Sequence, residues 1–150
     1  MTFRDVLLVL HIAGAGTWLG ANVVQAVVPG AVARAGTDAL AAWYRTTSRL
    51  SARLYIPAAL LILITGVLLV LRSDEYGFAS NFVTVGFAMI IVGAVLGRLV
   101  FEPGGEATAS AVESGKGDEV RSAAGRLAGF GVLDTLLLLF TITVMVLRWD

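Results

Sequence analysis

Apolar and polar positions alternate along this chain on a long scale. Four apolar runs, 6–28, 54–71, 82–100 and 127–147, are separated by polar stretches. Each falls within the ~17–25 predominantly apolar residues that a helix needs to cross a bilayer. The second run has no charged residue, the third only Arg98 near its end, and the fourth only Asp134. In lipid every backbone N–H and C=O must be satisfied within the segment, so runs of this length are expected to be helices. The pattern predicts an all-α integral membrane protein with spans near 4–30, 52–72, 80–101 and 126–148. Short connections make sequence neighbours antiparallel, which gives an up-down-up-down four-helix bundle. Four spans use most of the 150 residues, so one domain is expected.

Within the first run, His11, Trp18, Asn22 and Gln25 recur at helical spacing and share one face. A spanning helix with one polar face turns it toward protein or water. In the fourth run the same arithmetic aligns Asp134, Leu138, Thr141 and Met145. The two helices run in opposite directions. Their faces are therefore expected to match level for level, His11 with Thr141 and Met145, and Asn22 and Gln25 with Asp134.

An Asp at the centre of a span costs about 2.5–3.5 kcal/mol on insertion scales, so it needs a proton, a hydrogen bond or a partner. Asn22, Gln25 and Arg98 are the candidates. The role is open between a clasp that fixes helix register and a proton or ion pathway. For His11 the alternatives are a neutral, hydrogen-bonded imidazole or a ligand to haem iron or copper, with Met145 or Met89 able to complete a His/Met pair. The chain holds one His, so a bis-His haem would require two copies.

Composition narrows the function. Only 15% of residues are charged, against roughly 25% in soluble domains. There is no cysteine, which excludes disulfides, thiolate chemistry and iron–sulfur clusters. The net charge of zero gives no reason to expect nucleic acid as a partner. A nucleophile–base pair, a phosphate loop and a carboxylate dyad are all missing from the sequence, which argues against a hydrolase. The first run is too long and too polar for a signal peptide, whose apolar core spans about 7–15 residues. It is expected to be a true first span.

Positive charges set the orientation. Arg34, Arg45, Arg49, Arg53, Lys116, Arg121 and Arg126 lie by the first and third connections, and Arg4, Arg72 and Arg148 on the other side. The first and third connections are therefore expected in the cytoplasm, with both termini outside a plasma membrane. A helix over 38–53 would set Trp43 and Tyr44 at the interface and align Arg45, Arg49 and Arg53, as a headgroup anchor or as a docking surface for an anionic partner. The Gly-, Ser- and Glu-rich stretch 102–118 is expected to be mobile, with a helix starting near Asp118. Gly86, Gly93 and Gly97 form a small-residue stripe on the third span, suited to packing within the bundle or to a homodimer seam in the lipid bilayer.

The residues Leu10-His11-Ile12 through Thr17-Trp18-Leu19-Gly20 resemble the first helix of several bacterial membrane families. These are the CopD-like copper-resistance membrane domains, the HemJ-type protoporphyrinogen oxidases, and their uncharacterised relatives, to which the match is best. A Leu-His pair stands seven residues before a Trp, with Gly close behind and a basic loop after. The resemblance extends loosely over all four spans, including Pro57 and Thr65-Gly66. It implies a four-helix bundle with His11 facing inward, in a haem or copper context, and carries over only to His11, Trp18 and Gly20. Three functions follow as alternatives: a small haem- or copper-associated redox component, a proton- or ion-linked transport component, or a non-catalytic accessory subunit.

Overall fold

A computed structural model describes residues 1–148, and among these there is no strand. Seven α-helices follow one another: α1 (Phe3–Val27), α2 (Pro29–Arg34), α3 (Thr37–Ser48), α4 (Ile56–Leu71), α5 (Asn81–Leu96), α6 (Glu102–Glu113) and α7 (Gly117–Leu147). Joined where they abut, they give four helices long and apolar enough to cross a membrane: Phe3–Arg34, Ala52–Leu71, Asn81–Glu113 and Gly117–Leu147. Their outward faces are apolar, with Ile12, Ile64, Ile91 and Leu136 all more than half exposed. A soluble bundle would bury such side chains, whereas lipid solvates them. The chain is a multi-pass membrane protein with an all-α four-helix bundle.

Local chemistry sets the ends. Thr2 and Asp5 form a capping box: the Asp5 N–H donates to Thr2 Oγ1 at 3.2 Å and the Thr2 N–H to Asp5 Oδ2 at 2.7 Å. Both orphan donors are thereby satisfied at the start of α1. Pro57 and Pro103 each stand just inside a helix, and a π-helical turn precedes each, Ser51–Tyr55 and Gly97–Phe101. Proline has no N–H to return and crowds the carbonyl four residues back, so the preceding turn widens.

Packing divides the bundle into two pairs. α1 lies along α4 and α5 along α7; the pairs join where α1 meets α7, while α4 and α5 barely touch. One core, at the end carrying both termini, groups Val70, Phe82, Val83 and Val144. A second, at mid-depth, groups Trp18, Met89 and Leu138. Of the glycine stripe, Gly86 faces the Met145 methyl and Gly93 the Trp18 ring, so both look into this bundle.

The stretch 102–118 departs from expectation. Instead of a mobile loop it holds α6, which extends the third span and packs along α3. Its Gly105, Thr108, Ala109 and Val112 are buried, a helical stripe of small residues that lets the two helices approach closely. Glu106 accepts from Ser48 Oγ at 2.8 Å, and Glu113 pairs with Arg45. The expected helix over 38–53 likewise ends at Ser48 before its π turn. The fourth span begins at Gly117, and its 31 residues reach about 46 Å, beyond the ~30 Å hydrocarbon layer.

A Cβ at Gly105 would lie 2.8 Å from Ser48 Cβ and 3.1 Å from the Tyr44 carbonyl oxygen. A carbonyl on a helix cannot rotate aside, so Gly105→Ala must push α3 from α6. The overpacking cost of about 1–3 kcal/mol outweighs the helix-propensity gain of up to about 1 kcal/mol. Gly125, where a Cβ meets nothing, supplies the control. Thermal unfolding in detergent micelles should show a lower midpoint for Gly105→Ala and an equal or higher one for Gly125→Ala.

Candidate functional site

Two cavities open into the cleft that α4 and α5 leave between them. One, of about 530 Å³, faces the end with both termini; the other, of about 660 Å³, faces the α3/α6 end. Leu63 and Ile90 line both and form the layer between them.

His11 lines the first cavity. Its Nδ1 lies 3.0 Å from the Ile62 carbonyl oxygen and 3.1 Å from Thr65 Oγ1. A carbonyl only accepts, and the Thr65 hydroxyl donates its own hydrogen to the Leu61 carbonyl. Nδ1 therefore carries the proton and donates, leaving the Nε2 lone pair open. Nε2 has no hydrogen-bond partner among the described residues and is not sealed within the protein. Gly66 makes room for the ring: a Cβ there would sit 3.2 Å from His11 Cε1. The rest of the wall is almost wholly apolar; Met145 contributes to it, and Arg4 and Arg148 stand on the rim. Arg148 is held there by Glu75 at 2.7 Å, with its guanidinium over the Tyr76 ring.

The second cavity ends at Asp134, which is 2% exposed. Its Oδ2 accepts from Trp18 Nε1 at 2.9 Å and from Asn22 Nδ2 at 2.7 Å. Asn22 also donates to Thr135 Oγ1 at 3.2 Å and accepts from the Tyr55 hydroxyl at 2.7 Å. Gln25 Nε2 in turn donates to Tyr55 at 2.5 Å. Among the described residues Asp134 Oδ1 has no hydrogen-bond partner, although it is buried.

Measured against expectation, Asn22 meets Asp134 as the helical faces required, but two other candidate partners do not. Gln25 stops at Tyr55, one hydrogen bond short of the carboxylate. Arg98 points away: its side chain is 74% exposed and pairs with Glu102 at 2.7 Å, one turn along the same helix. That local pair forms without drawing a guanidinium out of water. His11 donates its hydrogen bond to acceptors on α4, not on α7, although Met145 shares its cavity. Trp18 lies in the other cavity, packed edge-to-face on Tyr55 at 5.8 Å, and Met89 is enclosed in the mid-depth core. Gly97 lines the α3/α6-end cavity. Tyr55 was not anticipated. It comes from a π turn, which takes it off the regular helical period.

Among the described residues, no group of three or more His, Asp or Glu side chains is placed to hold a metal ion. No protein-family model, curated protein or solved structure matches this chain.

Proposed function

We propose that the protein is a small membrane redox component that binds haem in the cavity at its terminal end, where His11 Nε2 would hold its iron. The observation that carries this reading is the fixed histidine tautomer. Metal-ligating histidines characteristically donate their other ring N–H to a carbonyl or similar acceptor, which orients the ring and raises its basicity. Here the Ile62 carbonyl and Thr65 occupy that position, and His11, with its other lone pair free, lines a cavity of about 530 Å³, within the ~300–1,000 Å³ of cofactor pockets. Its apolar wall suits a porphyrin face, and Arg4 and Arg148 on the rim suit its carboxylates. Met145 is the candidate second ligand. Haem bound there would supply one-electron exchange at a potential set by its axial ligands. Copper is less well served, since His11 and Met145 alone offer two donors, whereas haem brings four ring nitrogens of its own. The Leu10-His11 to Gly20 resemblance supports the same assignment.

The test is an absorption titration of the purified, detergent-solubilised protein with ferric haem. A saturable Soret band at one haem per chain is expected, and a titration indistinguishable from empty micelles would refute the reading.

The orientation belongs to the same proposal: α3 and α6 in the cytoplasm and both termini outside a plasma membrane, on the seven-to-three excess of Lys and Arg at that end. A reporter fused to either terminus and active only in the cytoplasm should stay silent. A strong signal would invert the assignment.

A further inference from the structure

The basic face of Arg45, Arg49 and Arg53 is divided in the folded chain. Arg45 is taken by Glu113. Arg49 and Arg53 are exposed, line the cavity at the α3/α6 end, and have no side-chain partner among the described residues. The same cavity holds Arg98, paired with Glu102, and Glu106, which accepts from Ser48. Three guanidinium groups thus face two carboxylates at its mouth, and positive charge is in excess. Asp134, 2% exposed and bonded to Trp18 and Asn22, lies at mid-depth and leaves that excess in place.

Below the arginines the wall is mostly apolar, down to Leu63 and Ile90. The span Ala52–Leu71 covers about 30 Å, the thickness of the hydrocarbon layer, so Arg53 at its end stands at headgroup level. Arg53 to Leu63 covers about 15 Å on one wall, and Arg98 to Ile90 about 12 Å on the other. Both are close to the depth of one leaflet, about half of that layer. The cavity is also open sideways: α4 and α5 barely touch, and Ile56, Leu60 and Ala94 are exposed along it. A soluble anion would match the charge and leave the apolar wall uncovered. A neutral hydrocarbon would cover the wall and leave the guanidinium groups unmatched. An acidic phospholipid answers both, because basic pockets between spanning helices hold anionic headgroups and the arginine fork fits phosphate.

We propose that one anionic phospholipid occupies this cleft, its phosphate on Arg49 and Arg53 and one acyl chain between α4 and α5 as far as Leu63 and Ile90. The lipid bridges the two helix pairs at the seam where the protein itself makes little contact. The site is separate from the histidine cavity and stands whether or not that cavity takes haem.

Native mass spectrometry of the detergent-solubilised full chain tests it, using phosphatidylglycerol and phosphatidylcholine with identical chains. One phosphatidylglycerol per chain is expected, bound about tenfold or more tightly than phosphatidylcholine. Each guanidinium beside a headgroup is worth about fivefold, so Arg49→Gln combined with Arg53→Gln should erase the preference. Arg121→Gln combined with Arg126→Gln removes two exposed charges outside the cleft and should leave it intact. Ala94→Phe keeps every charge and fills the cleft from an exposed position, so both lipids should bind about tenfold more weakly or worse. Equal affinity for the two lipids, equal losses from the two arginine pairs, or unchanged binding in Ala94→Phe would overturn the proposal. Oleate bound as tightly as phosphatidylglycerol would overturn it too, by making the occupant a free fatty acid.

Discussion

His11→Ala is expected to lower haem affinity by about a hundredfold or more while leaving the protein folded in the membrane. The side chain supplies the proposed iron ligand, and even groups that merely orient a ligating histidine are worth about 10–100-fold. Thr65→Val provides the graded companion. It keeps the shape of the side chain but removes one of the two acceptors of the Nδ1 hydrogen, and the Ile62 carbonyl remains. A loss nearer tenfold is expected there. Titrating both variants against wild type, with circular dichroism confirming the helices, separates the ligand from its support. If His11→Ala took up haem with wild-type affinity, the histidine would have no part in the site, whatever the spectrum of the wild type.

Asp134→Leu should act in opposite directions on two stages of assembly. Insertion of the fourth span becomes easier by about 3 kcal/mol, because a carboxylate at membrane depth is replaced by an alkyl group. Packing of the inserted helices becomes worse. Trp18 Nε1 and Asn22 Nδ2 lose their shared acceptor, and a buried donor left unpaired costs about 1–3 kcal/mol. Interhelical hydrogen bonds in membranes lie at the lower end of such ranges, so a loss of about 2–4 kcal/mol is expected. Asp134→Asn keeps an acceptor in place for both donors and should stay within about 1 kcal/mol of wild type. Unfolding in mixed micelles reports helix association and should rank the variants accordingly. A Leu variant as stable as wild type would show that the network contributes nothing to packing.

The spans were legible because each rule behind them is local: an apolar run of sufficient length in lipid has no alternative to helix. The meeting of Asn22 with Asp134 was legible for a related reason, since two regular helices of opposite direction fix which levels face each other. What escaped depended on departures from regularity or on a partner elsewhere in the chain. His11 and Trp18 share a face, but seven residues separate them by roughly 10 Å along the axis, enough to place them in different cavities. Tyr55 lies on a turn widened ahead of Pro57, so the 3.6-residue period does not project it inward. The stretch 102–118 read as mobile from its Gly, Ser and Glu content. Its Gly105, Thr108, Ala109, Val112 stripe acquires meaning only once α3 is there to cover it. Arg98 shows the opposite case: its carboxylate is the near one, Glu102, one turn along the helix, and not the distant Asp134.

The uneven packing also bears on how the chain reaches its final form. Each tightly packed pair consists of spans that are consecutive in the sequence, α1 with α4 and α5 with α7. Each hairpin can therefore close as soon as its second arm leaves the translocation machinery, before the other half of the polypeptide has been made. The later step is a docking of two preformed halves through α1 against α7 and α3 against α6, with the segment between Leu71 and Asn81 as their tether. That order lets synthesis proceed without a long-lived exposed polar surface, because Asp134 arrives in lipid only after Trp18 and Asn22 are already there to receive it.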